Sequence, residues 1–200
     1  MGTTSNMSIP YPESSDYVAD GATAMENIAT QVDAKTGMIL LGSYTGTSVS
    51  SLSVDDIFTS TFSYYRIICG TRTLDNDLHL LMRASSSDSS TSYNYGAIGR
   101  SSAGTTYTFD GAGITIGFKV IERNIGASDA RNSFAIDIYY PANNEYTTIT
   151  GNSQSYNSGG NYISWTMGGF HGVESIFDGF TLECSGNFSH TTNVYGYSHG

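Results

Sequence analysis

Charge is scarce in this 200-residue chain: Lys and Arg number 8, Asp and Glu 18, and charged residues make up 13% of the whole against about a quarter in an ordinary soluble domain. The net charge of −10 repels phosphate backbones and anionic headgroups, so neither nucleic-acid binding nor docking on anionic lipid is expected. Long apolar runs are also missing. The longest clean aliphatic stretch, Met38-Ile39-Leu40-Leu41, is far too short to span a bilayer, and no membrane insertion is expected. The opening segment has neither a basic n-region nor an apolar h-region, which predicts a soluble protein made in a cytoplasm without a secretory signal.

Cysteine is limited to Cys69 and Cys184, too few for a disulfide framework. Both fall in predicted strands, where a free thiol behaves as a small hydrophobe, so two reduced core thiols are expected over a bridge. No Cys-x-x-Cys or Cys/His spacing suggests a metal, and no cofactor is expected.

Catalytic groupings are sparse in the same way. The four histidines are His79, His171, His190 and His199, and no serine sits in a Gly-x-Ser-x-Gly elbow, so a Ser/His/acid triad is not expected. Asp55-Asp56 and Glu174 with Asp178 are the nearest carboxylate pairs. A helix N-terminus and a solvated loop are their expected settings, not glycoside hydrolysis. Asp75-Asn76-Asp77 reads as a turn because the later ligands of a calcium loop do not follow. Gly159-Gly160 and Gly168-Gly169 lack the Lys-Ser/Thr of a phosphate cradle. The chain reads as non-enzymatic.

What is present begins with one helix. Val18, Ala22, Met25, Ala29 and Val32 are spaced by 4, 3, 4 and 3 residues, which lays an apolar seam along a helix, widened by Ile28. Asp20 suits the N-cap and Gly37 the C-terminal turn. Ahead of it Ile9-Pro10-Tyr11-Pro12 must be extended, because each proline disfavours the helical region for the residue before it. Residues 1–37 therefore read as an arm and an oligomerising or anchoring helix.

From residue 38 onward the period becomes two. Phe134, Ile136, Ile138 and Tyr140 alternate with neighbours of another character, as do Ile114, Ile116, Phe118 and Val120, the mark of half-buried strands. Less regular segments lie at 38–44, 64–73, 78–84, 93–99, 105–109, 145–150, 161–167, 179–185 and 191–197, with a helical turn near 54–58. About eleven short strands and no second helix predict a mainly β domain over residues 38–200, an antiparallel β-sandwich of jelly-roll type. The stretches 84–92 and 151–160 lack periodicity and read as polar loops, where recognition commonly sits.

Aromatics are abundant, with 15 Tyr. Tyr93, Tyr95, Tyr156, Tyr162 and Trp165 lie in or beside the two polar loops and are the candidate contacts for a receptor or glycan, since such rings stack on sugar faces or pack in partner interfaces.

Several segments carry a resemblance. The run from Ile9-Pro10-Tyr11-Pro12 to Asp33 resembles the N-terminal segment of many structural proteins of tailed bacteriophages. Ile57–Ile68, Leu81-Met82-Arg83-Ala84-Ser85, Phe134–Pro141, Gly179-Phe180-Thr181-Leu182 and Val194-Tyr195-Gly196-Tyr197 extend the likeness over most of the chain. It departs at Tyr140, where such proteins often carry Asn before the proline.

The resemblance implies a virion component of tail-fibre or minor-tail type, assembled in the host cytoplasm and forming a homotrimer. Ile9, Pro10, Tyr11 and Pro12 would dock on another virion protein, Val18, Ala22, Met25, Ile28, Ala29 and Val32 would join the copies, and the β domain would face a host surface glycan or protein. A capsid decoration or head-fibre protein is the alternative, and a non-catalytic carbohydrate-binding module a third.

Overall fold

A computed structural model describes residues 2–3, 10–11, 21, 23, 25–28, 37–72, 76–122, 131–156 and 160–197. It is mainly antiparallel β, as expected. The strands are β1 (Gly2–Thr3), β2 (Pro10–Tyr11), β3 (Met38–Val54), β4 (Tyr64–Arg72), β5 (Leu78–Ala84), β6 (Ser87–Asp88), β7 (Tyr93–Ser101), β8 (Thr106–Ile114), β9 (Phe118–Ile121), β10 (Asn132–Tyr139), β11 (Thr148–Tyr156), β12 (Tyr162–His171) and β13 (Gly179–Tyr197). β1 and β2 pair with each other. The other eleven form one continuous curled sheet, in the order β6-β5-β13-β4-β10-β11-β12-β7-β8, with β3 on β13 and β9 on β5.

Where a β-sandwich has two facing sheets, hydrogen bonding here is continuous through β13. Its Gly179–Cys184 segment pairs with β5, its Ser189–Tyr197 segment pairs with β4, and β3 lines the other edge along both. The sheet therefore forks at the middle of β13. Register shifts between Glu183 and Phe188 and between Phe188 and His190 mark the fork, since an irregularity bends and twists a strand. One branch then curls over the other and encloses the core.

Alternation places the core as the period-two pattern predicts. Tyr65, Ile67 and Cys69 on β4, Phe134, Ile136 and Ile138 on β10, and Phe180, Leu182, Phe188 and Val194 on β13 all point inward and are buried. Each such aliphatic or Phe side chain contributes roughly 1.5–3 kcal/mol on burial. Cys69 and Cys184 are free and buried among them.

Several boundaries differ from expectation. The 151–160 stretch is not a loop: residues up to Tyr156 continue β11. Its inward side chains, Ser153 and Ser155, are buried serines, and hydrophobic periodicity cannot register a strand whose inner face is hydroxyl. The 114–120 alternation is broken, since β8 ends at Ile114 and β9 starts at Phe118. Between them Gly117 adopts φ +92, and a Cβ there would press on the Leu80 carbonyl at 2.7 Å. Residues 54–58 form no helical turn. The strands expected at 179–185 and 191–197 are one strand, and that expected at 38–44 runs on to Val54. Within 84–92 a two-residue strand, β6, folds back on β5.

Tyr140, expected to extend the β10 alternation, has φ +59. That left-handed conformation is one Asn adopts far more readily than Tyr.

Candidate functional site

The five aromatics singled out from the sequence do not share a surface. Tyr93 is 0% exposed; its hydroxyl accepts from the Met82 amide at 2.9 Å and donates to the Ser89 carbonyl at 2.9 Å, and burial pushes its pKa up to about 12. Trp165 is 2% exposed and donates from Nε1 to Ser155 Oγ at 2.9 Å. Tyr95 is half-buried against Phe109 and Phe118. Tyr93 and Trp165 are core residues and Tyr95 packs against the core; the expectation of receptor contact is corrected for Tyr93 and Trp165, which present no face to a ligand. Proximity to a polar stretch misled, because alternation and not loop adjacency decides which way a strand residue points. Tyr156 and Tyr162 do come together as a cross-strand pair on β11 and β12, rings 4.9 Å apart edge to face, with Tyr162 45% exposed.

A larger aromatic surface lies elsewhere. Tyr139 on β10 faces Tyr64 on β4, and Tyr64 faces Tyr197 on β13, so three adjoining strands set three tyrosines in one row on the outer face. Tyr64 meets Tyr139 edge to face at 5.1 Å and Tyr140 at 5.5 Å. The Tyr64 and Tyr140 hydroxyls are 3.0 Å apart. That hydrogen bond, with some desolvation, raises the Tyr64 pKa above the ordinary phenol value.

The next row on the same face holds an ion pair. Arg66 donates from Nε and Nη2 to the two Asp137 carboxylate oxygens at 2.7 and 2.6 Å, and its guanidinium carbon stands 5.8 Å from the Tyr197 ring centre. Hydrogen bonding to Asp137 raises the Arg66 pKa further, so the group is a fixed cation. Amphipathic rings beside a locked guanidinium form a surface suited to stacking on sugar faces or to anchoring a protein partner. The doublets Tyr64-Tyr65 and Tyr139-Tyr140 and the closing Tyr195-Gly196-Tyr197 carried the signal, but only the register makes them neighbours.

Of the helical seam, residues 21, 23 and 25–28 are described and helical; Val18, Ala22, Ala29 and Val32 lie outside the described residues. Met25 is 72% exposed and Ile28 half-buried. Of the docking arm, Pro10 and Tyr11 form the extended β2, while Ile9 and Pro12 lie outside the described residues.

The remaining polar groupings serve the fold. Asp55 accepts from Arg83 Nε at 2.6 Å, not at a helix N-terminus, and Arg83 reaches Asp88 at 2.7 Å. Asp178 accepts from the Ser85 amide at 2.8 Å. Asp77 pairs with Lys119 at 2.9 Å; Asp75 lies outside the described residues. His171 Nε2 lies 2.8 Å from Ser89 Oγ, but Nδ1 faces the Val173 carbonyl at 3.2 Å where a triad would place a carboxylate. Packed between Tyr93 and Phe177, the imidazole pins the 84–92 turn to β12.

Among the described residues no helix is long and apolar enough to cross a membrane, and no three His, Cys, Asp or Glu converge as metal ligands. No protein-family model matches the chain, and neither a curated protein nor a solved structure matches it.

Proposed function

We propose that the chain is a bacteriophage virion protein of fibre or receptor-binding type, a homotrimer whose arm and helix, residues 1–37, attach it to the particle and whose β domain faces the host. The observation that carries this reading is Met25: a methionine at the centre of the seam, on a helical segment ahead of the β domain, left 72% exposed in the single chain. A short helix with small seam residues is marginal alone, so contacts between β domains share in holding the copies together. The row Tyr139–Tyr64–Tyr197, with Arg66 beside it, is the surface offered to the host. The scarcity of charge suits a face exposed to medium.

Light scattering on the full chain is expected to give a trimer mass that does not change with concentration, and Met25→Asp to reduce it by placing charge in the seam. A monomer in the full chain would reject the reading. Immunogold labelling of virions is expected to decorate tails; labelled heads would favour a decoration protein.

A further inference from the structure

A second site lies at the end of the sheet away from the tyrosine row. There β3, β4, β13 and the start of β10 border an open cavity of about 880 Å³ whose lining includes Arg72, Arg131, Thr45 and Thr191. That volume lies within the range of small-molecule pockets, roughly 300–1,000 Å³.

Its charge is anomalous. Of the six described cationic side chains, Arg66, Arg83 and Lys119 are in ion pairs, whereas Arg72, Arg100 and Arg131 pair with no described carboxylate. Two of those three line this one cavity in a chain of net charge −10. They also stand opposite each other, each one residue beyond the Asn132–Thr71 cross-strand pair. Like charges directly opposite are destabilising, and an anion bound between them reverses the sign.

The remaining lining suits hydroxyl groups. Thr45 and Thr191, cross-strand partners on β3 and β13, line the cavity and are exposed on the same face as Arg72, whereas Thr71 and His190 turn their side chains inward and are buried.

We infer that this cavity binds a sugar residue carrying an anionic group, the anion between Arg72 and Arg131 and ring hydroxyls on Thr45 and Thr191. The inference does not depend on where the protein resides, since it concerns the isolated chain.

Calorimetric titration of the full chain with glucuronic acid, glucose 6-phosphate, glucose and inorganic phosphate tests it. At least one of the first two is expected to bind about tenfold or more tighter than both glucose and phosphate, and which one does so separates a carboxylate from a phosphate ester. Arg72→Ser, Arg131→Ser and Gly70→Glu are each expected to weaken that ligand about tenfold or more. A Cβ at Gly70 meets nothing within 4 Å, so the last variant puts a negative charge on the lining without disturbing packing. Arg100→Ser is expected to bind normally, and thermal melts confirm that each variant folds. Glucose binding as tightly as the anionic sugars, phosphate binding as tightly as either, equal loss on Arg100→Ser, or no binding at all would each overturn the inference.

Discussion

Trp165 lies against Gly99, its cross-strand partner on β7, so closely that a Cβ at position 99 would collide with the indole ring. The contact closes the inner face between β12 and β7, where Phe109 packs on the same indole at 4.8 Å. Gly99→Ala is therefore expected to destabilise by about 1–3 kcal/mol, the cost of forcing volume into a packed interior. Trp165 is the only tryptophan, so its fluorescence reports the loss directly. A variant that unfolds at the parent's denaturant midpoint would show that the ring has room to move.

Tyr93→Phe separates stability from recognition. It removes the acceptor of the Met82 amide and leaves a buried N–H without a partner, a loss of about 1–3 kcal/mol in denaturant unfolding. Attachment of the folded variant to host cells is expected to be unchanged.

The outer row should behave oppositely. Tyr64→Ala, Tyr139→Ala and Tyr197→Ala are expected to reduce host-cell attachment of the purified protein by tenfold or more in combination, on the order of the contribution of aromatic anchors at recognition surfaces. Parental attachment by the folded triple variant would remove the row from the receptor-binding reading.

Tyr140 carries strain that can be relieved. A non-glycine residue in the left-handed region costs roughly 1–2 kcal/mol, and Asn adopts it more readily, so Tyr140→Asn is expected to raise the thermal midpoint unless the hydroxyl contact to Tyr64 offsets the gain. Measuring Tyr140→Asn in the Tyr64→Phe background isolates the backbone contribution. A lower midpoint there would refute it.

Stability should fall on both sides of a plateau. Burial depresses the pKa of His79 and His190, so both are held neutral in the fold; their contribution is present above the unfolded value near 6.5 and is lost as pH falls through the lower folded values. Burial raises Cys69 from 9.0 to about 11 and Tyr93 from 10.0 to about 12. Their contribution is full below the unfolded values and is lost as pH climbs toward the folded ones. Denaturant midpoints are expected to be flat from roughly pH 7 to 9 and to decline outside that range. A midpoint constant up to pH 11 would contradict the burial of both groups.

The mainly β class and the alternation of β10 were legible because large apolar side chains recur at every second position. β11 was not, because its inward Ser153 and Ser155 sit under larger neighbours and the period is carried by size, not hydropathy. The outer tyrosine row was partly legible: an excess of tyrosine is visible in composition, but Tyr139, Tyr64 and Tyr197 are 75 and 133 residues apart in sequence and meet only through strand register. The cavity arginines were hidden for the same reason, each looking like an isolated surface charge beside its strand.

The forked strand β13 has a consequence for biosynthesis. β3, β4 and β5 are all translated before the residues that zip them together, so until that segment clears the ribosome their edges stay open, a condition that invites intermolecular pairing. Closure over such sequence distances is slow, and polypeptides truncated inside Gly179–Tyr197 should accumulate as insoluble material instead of smaller folded domains.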